Sequence, residues 1–158
     1  MHDAYATFSP MAGLPDPEHD RQFYTGVPLR RLTAWFIDLA TILAVGVPLA
    51  LFFGLATLGF GFFLFPLIVA GVGFFYRTAT LAGASATPGM RFVGIELRRG
   101  DGTRFDLPTA VFHTALYTAC ISVVVLQFVS CLTILGSRYG QSLPDFVLGT
   151  TAIRRPVD

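Results

Sequence analysis

Between Leu39 and Tyr76 the chain carries no residue that is charged at pH 7. The run is long enough for two membrane spans of about 20 residues each, with a turn between them. A buried helix in a water-soluble domain needs no apolar run of that length. Charged residues make up 13% of the whole chain, against about 25% in an ordinary soluble domain. The fold class read from this is an all-α integral membrane protein with about three transmembrane helices, set in the lipid bilayer and without a soluble core of its own. The spans fall at 32–53, 60–78 and 109–136.

Charge composition narrows the partners. All eleven basic residues are arginine and the net charge is +1. A nucleic-acid partner would need a basic patch far from balance, so none is expected. The first apolar segment begins about thirty residues in and is longer than the roughly 7–15 residues of a signal-peptide core, so it is expected to stay in the mature protein. Cys120 and Cys131 lie in one apolar segment. On a single helix they would stand about 16 Å apart along the axis, too far to pair.

Residues 1–28, broken by Pro10, Pro15, Pro17 and Pro28, read as a flexible N-terminal tail. The membrane domain then runs over 29–155, and 156–158 end the chain. Pro66 is expected to kink the second helix, and the Gly71 and Gly73 pair offers a smooth packing face. Tyr76 and Arg77 mark the return to the interface. Within the loop 86–106, alternating Val93, Ile95 and Leu97, a Gly100-Asp101-Gly102 turn and Thr103-Arg104-Phe105 predict a small β-hairpin at the membrane surface. Arginines cluster before the first span and in this loop, with none in the connection between the first two spans. That asymmetry puts the N-terminus and the loop in the cytoplasm. Arg138, Arg154 and Arg155 follow the third segment, where a single third span would leave them outside. The segment measures roughly 42 Å as one helix, ample for one span and short for two. A bent or re-entrant segment would return the C-terminus inside, and Thr150 to Arg155 could then join the hairpin as a third strand.

Asp38 is the most informative polar position. A carboxylate that deep in an apolar helix costs roughly 2.5–3.5 kcal/mol on the insertion scale, so it should face protein or water and find a partner on another helix. Ion or proton binding and a structural clamp between helices are both open readings. The third segment carries a polar stripe of His113, Tyr117, Cys120, Gln127 and Cys131, which should turn toward the first two helices. A His113–Asp38 relay is one reading of His113, and interhelical hydrogen bonding the other. Asp145 stands just beyond the apolar region behind Pro144, as a helix-cap candidate. No metal-protease, phosphate-loop or Cys-x-x-Cys motif is present. No enzyme, cofactor or metal site is therefore expected.

Three motifs carry a resemblance. Arg31-Leu-Thr-Ala-Trp-Phe-Ile-Asp38, Ala86-Thr-Pro-Gly89-Met90-Arg91-Phe-Val-Gly94, and Gln141-Ser-Leu-Pro-Asp145 with Gly149-Thr150 follow one another in order. Together they resemble the RDD family, small and mostly bacterial membrane proteins named for one arginine and two aspartates. The likeness spans about 24–155. It implies that Arg31, Asp38 and Asp145 are the namesake positions and that the chain resides in a bacterial inner membrane. These three are candidates for ion binding or a structural clamp, with His113 and Gln141 as candidate supporting residues. The likeness also implies transport of an ion or small ligand; set against this is a non-transporting membrane adaptor or accessory subunit, and the expected partners are a homo-oligomer or a larger membrane complex. The chain departs from the family pattern at Ser85 and Met90, which replace a glycine and a lysine. His113 stands where an arginine is common, and Pro144 where a histidine is.

Overall fold

A computed structural model describes residues 11–155. Among these residues it contains six α-helices and a two-stranded antiparallel sheet. Helix α1 (Val27–Ala56) starts after Gly26, whose φ of +74° makes a left-handed turn. Pro28 occupies its first turn, where a missing N–H breaks no helical hydrogen bond. A turn through Leu58 and Gly59 leads to α2 (Phe65–Ala84). The two helices cross where small residues allow it. A side chain at Gly46 would meet Val69 Cα at 3.4 Å, and one at Gly73 would meet Ile42 at 3.5 Å. A side chain at Gly71 would meet nothing within 4 Å, so only one of the expected glycine pair lies at the helix contact.

Helices α1 and α2 are long and apolar enough to cross a membrane. The third apolar segment is broken into α4 (Leu107–Ser122) and α5 (Val124–Gly136), bent by 116°. Val123 causes the break, with an extended backbone at φ −118° and ψ 108°. The pair counts as a third span only if the bent segment is taken as one. Outward-facing side chains on these helices are large and apolar, among them Phe52, Phe75, Val124, Phe128 and Leu135. In water so large a contiguous apolar surface would drive association, whereas lipid is its matching solvent.

At one end of the bundle the chain forms a packed core. Val27, Ala34, Leu81, Met90, Ile95, Leu97, Phe105 and Ala152 belong to one buried cluster. The apolar interior thus gathers at the sheet end, between helix termini and strands. The short helix α3 (Pro88–Phe92) leads into β1 (Ile95–Arg99), and α6 (Leu143–Leu148) into β2 (Thr150–Arg154). The strands pair with Ile95 opposite Arg154 and Arg99 opposite Thr150.

The expected hairpin is corrected in its second strand. The turn closes with one rung, the Arg99 amide to the Thr103 carbonyl at 3.0 Å, but residues 103–105 go no further as a strand because two local hydrogen-bond systems take them up. Asp101 Oδ1 accepts from the Thr103 amide at 2.9 Å and its hydroxyl at 2.6 Å, closing a side-chain turn. Three residues on, Asp106 accepts from the Thr109 amide at 2.9 Å and caps α4. Phe105, caught between them, donates its amide to Ser85 Oγ at 2.6 Å. The C-terminal strand takes the free edge of β1 instead. This pairing brings residues 150–154 to the end of the bundle that carries the arginine-bearing loop. The described part of the N-terminal stretch is tied there too, through the Gly13 amide to the Gly100 carbonyl (2.8 Å) and Arg138 to Asp16 (3.3 Å). Residues 1–10, with His2 and Pro10, and residues 156–158 lie outside the described residues.

Candidate functional site

The membrane-side boundary of this packed end is built from buried charges. Arg31, one turn into α1, donates to Asp145 Oδ2 at 2.7 Å. Asp145 is fully buried, and the Arg31 side chain nearly so. Asp145 also accepts from His113 Nε2 (2.9 Å), the Thr150 hydroxyl (2.9 Å), the Ser142 amide (3.0 Å) and the Ser142 hydroxyl (2.7 Å). A carboxylate offers about four lone-pair sites, so Asp145 is saturated. Burial alone would push its carboxyl up. The Arg31 guanidinium and the hydrogen bonds from His113 and Ser142 outweigh that, and hold it well below the usual carboxylate range. One side chain therefore joins α1, α4, α6 and β2. The capping role read for Asp145 is present as well, because Ser142 and Asp145 form a reciprocal capping box on α6.

Asp38 does not join this cluster, and no cation pairs with it among the described residues. It sits on the buried face of α1, under the turn between α2 and α3. Its carboxylate accepts from the Tyr76 hydroxyl (2.7 Å), the Thr87 hydroxyl (2.5 Å) and the Gly89 amide (2.9 Å). Neutral donors from another helix and from the following turn thus take the place of a charged partner. The middle motif owes its residue types to this contact. Thr87 is both donor to Asp38 and N-cap of α3, accepting from the Met90 amide at 3.2 Å. Gly89 must lack a side chain, since a Cβ there would lie 2.5 Å from the Ala34 carbonyl oxygen and 2.7 Å from Asp38 Oδ1.

The departures from the family pattern have structural counterparts. Ser85 ends α2 in the left-handed region at φ +53°, a conformation suited to glycine. Its side chain and carbonyl, however, accept from the Phe105 amide and from the Leu97 amide at 2.7 Å. His113 meets the second aspartate directly, and not Asp38. Met90 is buried and places an apolar side chain on the wall of the cavity described next. Gln141 Nε2 donates to the Thr150 carbonyl at 2.7 Å, so it fastens α6 to β2.

A cavity of about 460 Å³ lies between α1, α2, α4 and α5, bounded by Arg31, Trp35, Asp38, Arg77, His113, Tyr117, Gln127 and Ser130. The bend at Val123 folds the expected polar stripe around it: His113, Tyr117 and Cys120 come from α4, and Gln127 and Cys131 from α5. Both cysteines are free thiols. Arg77, read from sequence as marking the return to the interface, lies within α2 and is buried among protein side chains. Its guanidinium lies 3.8 Å from the centroid of the Tyr117 ring. Among the described residues it forms no ion pair, and its buried Nε has no hydrogen-bond partner. Nε of Arg31 and Nδ1 of His113 are likewise buried and unpartnered. No group of three or more His, Cys, Asp or Glu side chains among the described residues is placed to hold a metal ion.

The sequence model of the RDD family matches residues 25–149, from the approach to α1 through the glycine that ends α6. No curated protein and no solved structure matches the chain. The matched region contains Arg31, Asp38 and Asp145 together with the turn that receives Asp38, and it covers most of the sequence; the chain belongs to the RDD family.

Proposed function

We propose that this protein is a non-enzymatic carrier of the bacterial inner membrane that takes a small ligand into the cavity between its helices. The carrying observation is the cavity itself, a concave space of ligand size, since such sites typically measure about 300–1,000 Å³. Its polar groups converge from four helices, and among the described residues Arg77 forms no ion pair and its Nε has no hydrogen-bond partner. In this reading Arg31, Asp38 and Asp145 are the frame, because the hydrogen bonds made by both carboxylates leave little room for a cation. The arginine-bearing end, with the N-terminus, faces the cytoplasm by the positive-inside rule. Two or three spans rarely enclose a pathway, so the working unit is a homo-oligomer.

The saturation of Asp145 and the three hydrogen bonds already made by Asp38 favour a second reading, in which the domain is an adaptor whose charges serve folding alone. Native mass spectrometry of the protein, extracted from its own membranes in mild detergent, separates the two. The carrier reading expects a homo-oligomer with a bound small molecule, lost when Gln127→Trp fills the cavity. An empty cavity together with co-purifying membrane proteins would overturn it in favour of the adaptor.

A further inference from the structure

We infer that the cavity ligand is an anionic amphiphile, a single carboxylate- or phosphate-type group on an apolar chain, with Arg77 as the residue that binds its charge. This deepens the carrier reading and rests on it. A guanidinium is permanently charged, and burying it without a partner is among the more costly arrangements a protein can hold. Arg77 is only 6% exposed. Its contact with the Tyr117 ring engages one face of the guanidinium and uses none of its N–H donors. Nε faces no acceptor among the described residues, and the same is true of Nε on Arg31. Arg77 borders the cavity with its charge unpaired among the described residues, and an anion there is the ligand that would neutralise it.

The carboxylates in the neighbourhood do not supply that anion. Asp145 is occupied by Arg31, His113, Ser142 and Thr150. Asp38, which also borders the cavity, is held by Tyr76, Thr87 and Gly89 and lies beyond ion-pair distance of Arg77. Beyond the arginines, and apart from polar side chains such as Gln127 and Ser130, most of the cavity wall is apolar, through Leu32, Trp35, Met90, Ile121, Ile134 and Leu135. A small hydrated anion gains nothing from such a wall, whereas a headgroup carrying a hydrocarbon chain matches both parts.

The chain has a single tryptophan, and Trp35 borders the cavity, so its fluorescence reports occupancy directly. The full-length protein in phosphatidylcholine nanodiscs is titrated with dodecyl phosphate, dodecyltrimethylammonium and inorganic phosphate. Dodecyl phosphate is expected to give a saturable change that the other two do not. Arg77→Gln should weaken it roughly 10- to 100-fold, the loss of a charge-assisted contact. Arg77→Lys should retain most of the affinity. Doping the discs with phosphatidate identifies the source: an abolished response assigns the site to a two-chain bilayer lipid, an intact one to a single-chain ligand, and either carries an anionic headgroup on a chain.

An equal response to dodecyltrimethylammonium, or unchanged binding in a folded Arg77→Gln protein, would overturn the anion assignment and leave the carrier reading standing. Inorganic phosphate saturating at the same concentration would remove the apolar chain from the inference. Silence toward all three probes would sink the ligand cavity itself. If Arg77→Gln does not fold, the contrast between the two dodecyl compounds on the wild-type protein decides alone.

Discussion

Arg31 and Asp145 are 114 residues apart in sequence and joined by a 2.7 Å hydrogen bond between opposite charges. The contact closes the bundle, since α1 begins the membrane domain and α6 follows its last apolar helix. Removing one partner strands the other charge in a buried site, which typically destabilises by about 3–5 kcal/mol. Asp145→Asn and Arg31→Gln should each show a loss of that size in thermal unfolding in detergent. The double variant should lose about 1–3 kcal/mol less than the sum, because the two residues share one interaction. Additive losses would mean that the pair is not coupled.

Asp145 also sets an acid limit. Its carboxyl is held low in the folded chain and sits near 3.9 when unfolded. A depressed group of this kind contributes stability that is complete above the unfolded value and lost as pH falls toward the folded one. Wild-type stability should therefore hold from pH 8 to about pH 5 and decline below about pH 4. Asp145→Asn, with no proton to take up, should lose this part of the decline, as read by unfolding temperature against pH.

Asp38 is a hydrogen-bond acceptor for a turn, and its variants should divide by whether they keep an acceptor. Asp38→Asn retains an oxygen for the Gly89 amide, and the Tyr76 and Thr87 hydroxyls can reorient. A loss of about 1–2 kcal/mol follows. Asp38→Leu leaves buried donors unmatched, at about 1–3 kcal/mol each, and should fail to fold. Binding to the cavity should survive Asp38→Asn. Its abolition in a folded protein would return Asp38 to the mechanism.

Gly89→Ala tests the same joint from the other side. The added methyl would press on the Ala34 carbonyl, which belongs to the backbone of α1 and cannot swing away. Overpacking of this kind costs about 1–3 kcal/mol. An unfolding temperature equal to wild type would show that α1 and α3 do not approach so closely.

Much of this fold was legible before the structure. The uncharged run from Leu39 to Tyr76 forced two spanning helices, and the arginines after residue 137 already conflicted with a straight third span. Where reading failed, a distant partner or a hidden local bond decided. The Gly100–Gly102 turn predicts a hairpin by every local rule, but Asp101 and Asp106 spend the following residues on a turn and a cap. The strand that pairs with β1 lies some fifty residues further on. Arg77 looked like an interface anchor because it follows Tyr76 at the end of an apolar run. Its burial against Tyr117 of α4 depends on the packing of a distant helix, which no local pattern announces. Asp38 was expected to seek a partner on another helix, and Tyr76 of α2 is one. The backbone amide of Gly89 could not be anticipated from side chains.

The account depends most on the reversal at Val123, because only a chain that doubles back there brings Arg31, His113 and Asp145 to one end and wraps α4 and α5 around the cavity. Labelling with a membrane-impermeant maleimide tests this directly, using single cysteines at Leu58, Asp101 and Arg155 in a background with Cys120 and Cys131 replaced by serine. The account predicts that Asp101→Cys and Arg155→Cys react from the same side of the membrane and Leu58→Cys from the other. Reaction of Arg155→Cys from the side of Leu58→Cys would contradict it, since α4 and α5 would then form one straight span and Asp145 could not reach Arg31.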